Sequence, residues 1–165
     1  ADMIQRKQTL WLGLIFLICI SSVWINIPFR KIEGQLDGKV LEDALASVGY
    51  SSTSITIARD RVKTESNAPL KYLTLLLGVT ALASILMYKN RNTQMLLGKI
   101  IYGLTILMIG LMYYYGWSKR YIDIKPESQI IISVIFPLLI AYANFKALSG
   151  IKHDENLVKS YDRLR

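Results

Sequence analysis

Four aromatic residues crowd one short stretch of the chain: Tyr113, Tyr114, Tyr115 and Trp117. Such rings can stack on a planar ligand such as a quinone or a tetrapyrrole, and they also line the boundary between a membrane and water. The boundary belt is the more usual meaning of such a cluster. A ligand site would need a second element, and Pro137 could frame a pocket between the helices that carry the two features.

The residue types that usually perform catalysis or bind metals are scarce. The chain has one cysteine, Cys19, and one histidine, His153. One histidine cannot supply two imidazole ligands to a haem iron, and one Cys with one His is a poor metal site. Cys19 lies in an apolar run and is best interpreted as a structural thiol, whereas His153 beside Asp154 and Glu155 is best interpreted as solvated. We therefore expect no enzyme activity, no cofactor and no metal.

Four long apolar runs must position whatever side chains the protein uses. The runs cover residues 10–27, 70–88, 96–117 and 130–148. A helix of roughly 20 residues crosses the ~30 Å hydrocarbon core of a bilayer. The chain is 52% hydrophobic, and its charges are confined to the segments around the runs. These features predict an all-α integral membrane protein, a four-helix transmembrane bundle that forms a single membrane domain over residues 1–165.

The interiors of the four runs argue against transport coupled to ions. Ionisable groups in the middle of a membrane are expensive and usually functional. No Asp, Glu, Arg or His lies in the middle of any run, and Lys71, Lys99 and Lys146 lie near the ends, where their side chains can reach water. A pump or an ion-coupled carrier is therefore not expected.

The segment at 30–69 is the largest piece outside the runs. Four of its apolar residues have the spacing of one helical face: Leu41, Ala44, Leu45 and Val48. They predict a short amphipathic helix that ends at Gly49, while the alternation at Ile55 and Ile57 predicts a strand. One helix and one strand bury little apolar surface by themselves, so we expect this insertion to pack against the bundle, the bilayer surface or a partner protein. Residues 118–129 form a polar link, with Pro126 near the start of the fourth helix.

Small and polar residues at helical spacing predict where the helices pack. They are Thr74, Gly78 and Ala81 in the second run, Gly103 and Gly110 in the third, and Ser133, Pro137 and Ala141 in the fourth. Pro137 leaves the carbonyl of Ser133 without its usual donor, so we expect a kink that faces the bundle interior. Asn67 is the predicted N-cap of the second helix.

The segment at 149–165 combines an apolar face with basic residues. We expect its surface to contact a membrane or a partner through Leu157, Val158, Tyr161, Arg163, Leu164 and Arg165. A short amphipathic helix fits this pattern, and a solvated tail is the alternative. The net charge of +8 does not favour nucleic acid, because the basic residues flank apolar runs. We expect Arg6, Lys7, Lys89 and Arg91 to contact anionic lipid headgroups.

Several segments together resemble a known family. They are Met3-Ile4-Gln5-Arg6, Lys89-Asn90-Arg91 with Gln94, Ala143-Asn144, and residues 154–165. They are similar to an uncharacterised family of four-span inner-membrane proteins of Bacteroidota, labelled domain of unknown function 4293. The resemblance implies a bacterial inner (cytoplasmic) membrane with both termini in the cytoplasm, and it implies no activity. Lys and Arg divide equally between the two sides, so charge alone does not orient the chain.

The leading functional hypothesis is a non-catalytic accessory or scaffolding subunit of a larger inner-membrane complex, such as a protein-export or respiratory assembly. Its partners would be other membrane proteins of that complex and membrane lipids. The alternative is a protein that binds a lipid or a quinone in a pocket between the third and fourth helices. The first hypothesis depends on packing surfaces, and the second depends on the aromatic cluster and Pro137.

Overall fold

The computed structural model describes residues 2–36, 42–57, 60–121 and 124–163, with side chains at 7–34, 44–57, 63–121 and 129–160. The helices are α1 (Asp2–Trp24), α2 (Ala68–Leu86), α3 (Arg91–Tyr113) and α4 (Phe136–Arg163). The strands are β1 (Pro28–Leu36), β2 (Glu42–Gly49), β3 (Ser52–Ile57), β4 (Asp60–Ser66) and β5 (Ile124–Ile130). A π-helical turn (Tyr114–Ser118) extends α3, and a 3-10 turn (Ile132–Ile135) precedes α4.

The four helices form an antiparallel bundle. α1 packs against α2 and α4, and α3 packs against the same two helices. Each of the four segments is long and apolar enough to cross a membrane: Lys7–Trp24, Ala68–Leu86, Arg91–Ser118 and Ile132–Ser160. We call the end of the bundle with the N-terminus and the last turns of α4 the terminal end. The opposite end is the sheet end.

The sheet end carries a five-stranded antiparallel sheet with the order β4-β3-β2-β1-β5. The prediction of an all-α protein was therefore only partly right, because the helices are accompanied by this sheet. The insertion at 30–69 contributes to four strands, and the polar link at 118–129 contributes to β5 instead of leading directly into a helix. Pro126 lies in β5, an edge strand, where a missing backbone donor is tolerated.

The amphipathic helix predicted in the insertion is wrong. Its residues from Ala44 to Val48 lie in β2, where buried Ala44, Ala46 and Val48 alternate with half-buried residues. Leu41 lies outside the described residues. The strand predicted at Ile55 and Ile57 is confirmed by β3, which pairs with β2. A three-strand ladder satisfies the backbone groups of β2 on both edges, and that pairing outweighs a helical spacing read from four residues.

The kink predicted at Pro137 is wrong because Pro137 is the second residue of its helix and does not lie in the helix interior. α4 begins at Phe136, so Pro137 occupies its first turn, where proline is well tolerated. α4 then continues without interruption to Arg163. The segment at 149–165 is therefore a continuation of the fourth helix as far as Arg163, and not a separate amphipathic helix.

The predicted packing residues fall into two groups. Thr74, Gly78 and Ala81 are buried in α2, with Gly78 against the Cys19 side chain of α1. The prediction is wrong for Gly103 and Gly110 of α3, which are exposed, with nothing within 4 Å of a Cβ built there. The buried face of α3 lies on its other side and contains Gln94, Gly98, Ile101, Thr105, Met108 and Met112.

Gly98 provides the close contact between α3 and α4. A Cβ at this position would collide with the Leu148 side chain, and the Gly98 carbonyl accepts a hydrogen bond from Asn144 Nδ2 at 2.9 Å. Among the predicted residues of the fourth run, Ser133 and Pro137 are buried at the sheet end, and Ala141 is half-buried.

Replacing Gly98 by leucine should destabilise the bundle, since the new side chain would push Leu148 and α4 away. Overpacking of this kind costs about 1–3 kcal/mol. The matched control is Gly103→Leu in the same helix, which meets open space and should leave stability unchanged or slightly raised. Thermal unfolding in detergent micelles measures both variants. Equal destabilisation by the two would contradict the described packing of α3.

Candidate functional site

Tyr50 anchors the sheet to the bundle. Its side chain is fully buried, and its hydroxyl donates to the carbonyl of Ser133 at 2.8 Å. The ring lies edge-on to Phe29, with centroids 5.3 Å apart, and stacks on Phe136 at 5.9 Å. The Ser133 hydroxyl in turn donates to the Pro28 carbonyl. Burial raises the pKa of Tyr50 well above its usual value, so the hydroxyl stays protonated and keeps donating.

The hydroxyl of Tyr50 also compensates for Pro137. A residue with an N–H at 137 would donate to the Ser133 carbonyl in a continuous helix, and proline cannot. Ser133 O instead accepts from Tyr50 and from the backbone N–H of Phe136. The sequence points to the Ser133 carbonyl as short of a donor, but it gives no sign that Tyr50 supplies one.

Two buried or half-buried asparagines hold the β2–β3 turn. Asn26, which has φ 53°, accepts from the N–H groups of Ser51 and Ser52 at 2.9 and 3.0 Å. Asn67 occupies the N-cap position of α2, but its side chain makes no cap bond. Its amide donates to Gly49 O at 2.8 Å and to Thr53 Oγ1 at 3.0 Å. Asn67 is therefore the N-cap by position, as predicted, but its side chain bonds to the β2–β3 turn and not to the helix.

An ion pair links the sheet to the end of α3. Lys119 Nζ lies 2.5 Å from Glu65 Oε2, and Lys63 Nζ lies 2.7 Å from Glu65 Oε1. The hydrogen bonds from the two lysines lower the pKa of Glu65 to about 2, and the bond from Lys119 makes the larger contribution. The same bond from Glu65 raises the pKa of Lys119.

The lowered pKa of Glu65 predicts a small dependence of stability on acid. A carboxyl with a depressed folded-state pKa contributes stability above its ordinary value of 4.5 and loses it as the pH falls toward about 2. Because the pair is partly solvated, its contribution should be at most about 1 kcal/mol. Glu65→Gln should therefore unfold at a lower temperature than wild type at pH 7, and this gap should shrink at pH 3. The exposed Glu33→Gln serves as the control, and a gap that widens in acid would contradict the assignment.

The aromatic cluster lies at the sheet end, where its rings contact other protein groups. Tyr113 and Trp117 stack with centroids 6.3 Å apart, and the Arg30 guanidinium lies 4.6 Å from the Trp117 centroid. Arg30 also donates to the carbonyl of Gly116. Tyr115 is buried, and its ring lies edge-on to Tyr114. The described contacts of the cluster are therefore within α3 and its π-helical turn and with β1.

A small cleft opens at the terminal end between α1, α3 and α4. Its walls include Gln8, Tyr88, Arg91, Gln94 and Asp154. Gln8 Nε2 donates to Asp154 Oδ2 at 2.8 Å, and Arg91 Nη1 donates to the main-chain oxygen of Asp154 at 3.3 Å. Gln94 is directed inward and donates to Ser84 O at 2.9 Å. The first two contacts tie the start of α1 and the start of α3 to the far part of α4, and the third ties α3 to the last turns of α2.

The cleft gathers residues that the sequence marked through the family resemblance and, for Arg91, also as an expected lipid contact. Arg91, Gln94 and Asp154 line it, and Gln8 was not singled out at all. Because successive helices run in opposite directions, the first and third runs begin at the terminal end of the bundle, and the second and fourth runs finish there. The polar residues at those four ends were therefore a usable signal.

α4 continues past the cleft to Arg163, and we call residues 155–163 the projecting segment. At 1.5 Å per residue it extends roughly 13 Å beyond Asp154. Leu157 and Val158 are 39% and 45% exposed, and Lys159 pairs with Glu155 at 2.6 Å. The side chains of Tyr161 and Arg163, and all of Leu164 and Arg165, lie outside the described residues.

The basic residues expected to contact lipid headgroups also lie at the terminal end. Lys7 and Lys89 are exposed, Arg91 is half-buried in the cleft, and the Arg6 side chain lies outside the described part. No three His, Cys, Asp or Glu side chains converge on a metal-sized site within the residues that the structure describes.

The fold defines a class of protein: four helices, each long and apolar enough to cross a membrane, with an antiparallel sheet at one end of the bundle. The chain belongs to the family described as a domain of unknown function (DUF4293), which it matches over residues 4–164. A search of the curated proteins finds no match.

Proposed function

We propose that this protein is a non-catalytic accessory or scaffolding subunit of a complex in the bacterial inner membrane. The observation that carries the proposal is the projecting segment, which presents exposed Leu157 and Val158 past the cleft. Exposed apolar side chains on a helix can be buried in an apolar groove of a partner protein. A protein-export or respiratory assembly would supply such a partner.

The length of α4 favours a partner protein in the aqueous phase and disfavours contact of the projecting segment with the membrane surface. Its 28 residues span about 42 Å, whereas the hydrocarbon core is about 30 Å thick. The helix continues without a break, and a segment lying flat on the bilayer would have to turn sharply away from the bundle axis. The apolar side chains of the projecting segment are therefore available to another protein.

In the proposed orientation the four helices cross the inner membrane, as expected for a four-span family of Bacteroidota, and both termini are cytoplasmic. The sheet then lies on the opposite face. Exposed aromatic residues at the sheet end fit an interfacial belt there: Trp24, Tyr113, Tyr114 and Trp117. The lack of a catalytic constellation in the sequence supports a role in assembly.

A lipid or quinone pocket between α3 and α4 is the alternative proposal. Exposed Tyr113 and Trp117 would form its aromatic side. It has less support, since the rings of these residues stack on one another and Trp117 also contacts Arg30.

The test is purification of the tagged full-length protein from its native membrane in mild detergent. Wild type should elute as a complex with a reproducible, stoichiometric membrane protein. Leu157→Asp with Val158→Asp should lose that protein while keeping the thermal stability of the bundle. Asn156→Asp with Ser160→Asp adds the same charge at neighbouring exposed positions and should retain it. A photo-crosslinking residue at position 157 should form a covalent link to the co-purifying membrane protein.

Two results would refute the scaffolding role. One is a wild-type monomer that recovers no reproducible partner. The other is a partner retained equally by both double variants, which would show that the projecting segment does not bind it.

A further inference from the structure

The carboxylate of Asp154 is incompletely paired in the cleft. Its Oδ2 accepts from Gln8 Nε2 at 2.8 Å, while its Oδ1 is buried and accepts no hydrogen bond from the described residues. No Lys, Arg or His nitrogen of the described side chains lies within 4 Å of this carboxylate. The ion pairs among the described side chains involve Glu65 and Glu155 instead. A buried, unpaired carboxylate oxygen is costly unless something supplies a donor.

A complementary group lies beside it. Arg91 donates from one nitrogen to the main-chain oxygen of Asp154, and a guanidinium has five N–H donors in a fork that suits phosphate oxygens. Arg91 and Asp154 line the same cleft, together with Gln8, a residue that is 6% exposed. The cleft thus offers an acceptor for a cation next to a donor for an anion.

We propose that the cleft binds a phosphoethanolamine group, with its ammonium on Asp154 Oδ1 and its phosphate on Arg91. A primary ammonium has three N–H donors and can hydrogen-bond to the buried oxygen. The trimethylammonium of choline has none, and the extra carboxylate of a serine headgroup would be repelled by Asp154. The ends of α2 and α3 beside the cleft are where helices reach a membrane surface in the proposed orientation, so an aminophospholipid is the natural source.

The site is separate from the projecting segment, and its test does not depend on the scaffolding role. The full-length protein in detergent is titrated with dihexanoyl phosphatidylethanolamine, with dihexanoyl phosphatidylcholine, and with soluble phosphoethanolamine, and its unfolding temperature is recorded. A ligand that binds the folded state raises this temperature. We expect the ethanolamine lipid to bind about tenfold more tightly than the choline lipid, the ratio that corresponds to one charge-assisted hydrogen bond.

The soluble arm identifies the source of the group. Stabilisation by the ethanolamine lipid alone assigns the cleft to lipid, and equal stabilisation by soluble phosphoethanolamine assigns it to a soluble ligand with the same chemistry. Equal affinity for the ethanolamine and choline lipids would overturn the proposal. This comparison uses the wild-type protein and therefore needs no variant to fold.

The variants test each half of the site. Asp154→Asn keeps the shape of the side chain and should abolish the preference for ethanolamine over choline. Arg91→Gln should weaken binding of both lipids by about tenfold, because both carry the phosphate. Glu33→Gln removes an exposed carboxylate at the other end of the molecule and should retain the full preference. A preference that survives in Asp154→Asn would also overturn the assignment.

Discussion

Replacing Tyr50 by alanine should lower the free energy of unfolding by about 3–5 kcal/mol, the range for truncating a buried aromatic side chain. The change removes the ring packed against Phe29 and Phe136 and the hydroxyl that donates to Ser133. Loss of these contacts should detach the sheet from the start of α4. Thermal or denaturant unfolding in detergent micelles measures the effect.

Tyr50→Phe separates the hydroxyl from the ring. It keeps both aromatic contacts and removes only the hydrogen bond, and the Ser133 carbonyl retains the N–H of Phe136. The expected loss is therefore about 1 kcal/mol, the net worth of an ordinary hydrogen bond. A loss from Tyr50→Ala no greater than that from Tyr50→Phe would contradict the anchoring role of the ring.

Asn67→Ala is expected to cost about 2–4 kcal/mol. The change leaves the buried Gly49 carbonyl without this donor, removes both hydrogen bonds between Asn67 and Thr53, and opens a small cavity. The same unfolding measurement applies. Amide exchange in β2 and β3 should also rise, because Asn67 holds their turn.

Asn90→Ala is the matched control. Asn90 occupies the N-cap position of α3, is exposed, and makes a cap bond from Thr93 N at 3.2 Å. Losing an N-cap side chain typically costs about 1 kcal/mol. Equal costs at Asn67 and Asn90 would mean that the hydrogen bonds of Asn67 to the β2–β3 turn add nothing beyond the cost of an ordinary N-cap.

The helices could be predicted from sequence because each is marked by a continuous stretch of its own residues. Long uncharged runs have few alternatives to a spanning helix, and the four predicted runs correspond to α1–α4. The predicted boundary was less accurate for α4. The fourth run was predicted to begin at residue 130, but residues 130–135 form the end of β5 and a 3-10 turn. An apolar run does not reveal where a strand gives way to a helix.

The five-stranded sheet was not predicted as a whole. β1 to β4 pair with their sequence neighbours, but the fifth strand pairs with a strand that is far away in sequence. β1 pairs with β5, across α2 and α3, with Arg30 opposite Ile130. Short strands such as β2 carry an ambiguous pattern, and the spacing of Ala44, Leu45 and Val48 fits a helix as well. Only the neighbouring strands decide between the two forms.

The candidate sites were partly visible in the sequence. The apolar pair Leu157 and Val158 was expected to be a contact surface, and the structure places both on the exposed projecting segment. The pairing of Gln8 with Asp154 was not predicted, since it joins residues from nearly opposite ends of the chain. A glutamine ahead of an apolar run gives no local sign of a distant carboxylate.

Thiol labelling in the native host tests the central claim of four crossings most directly. In a Cys19→Ala background, single cysteines replace Thr64 in β4, Ile106 in the exposed middle of α3, and Ser160 in the projecting segment. A membrane-impermeant maleimide should label position 64 in spheroplasts and position 160 only after the membrane is disrupted, and it should label position 106 in neither case. Labelling of 64 and 160 from the same side, or of 106 in intact spheroplasts, would contradict the account.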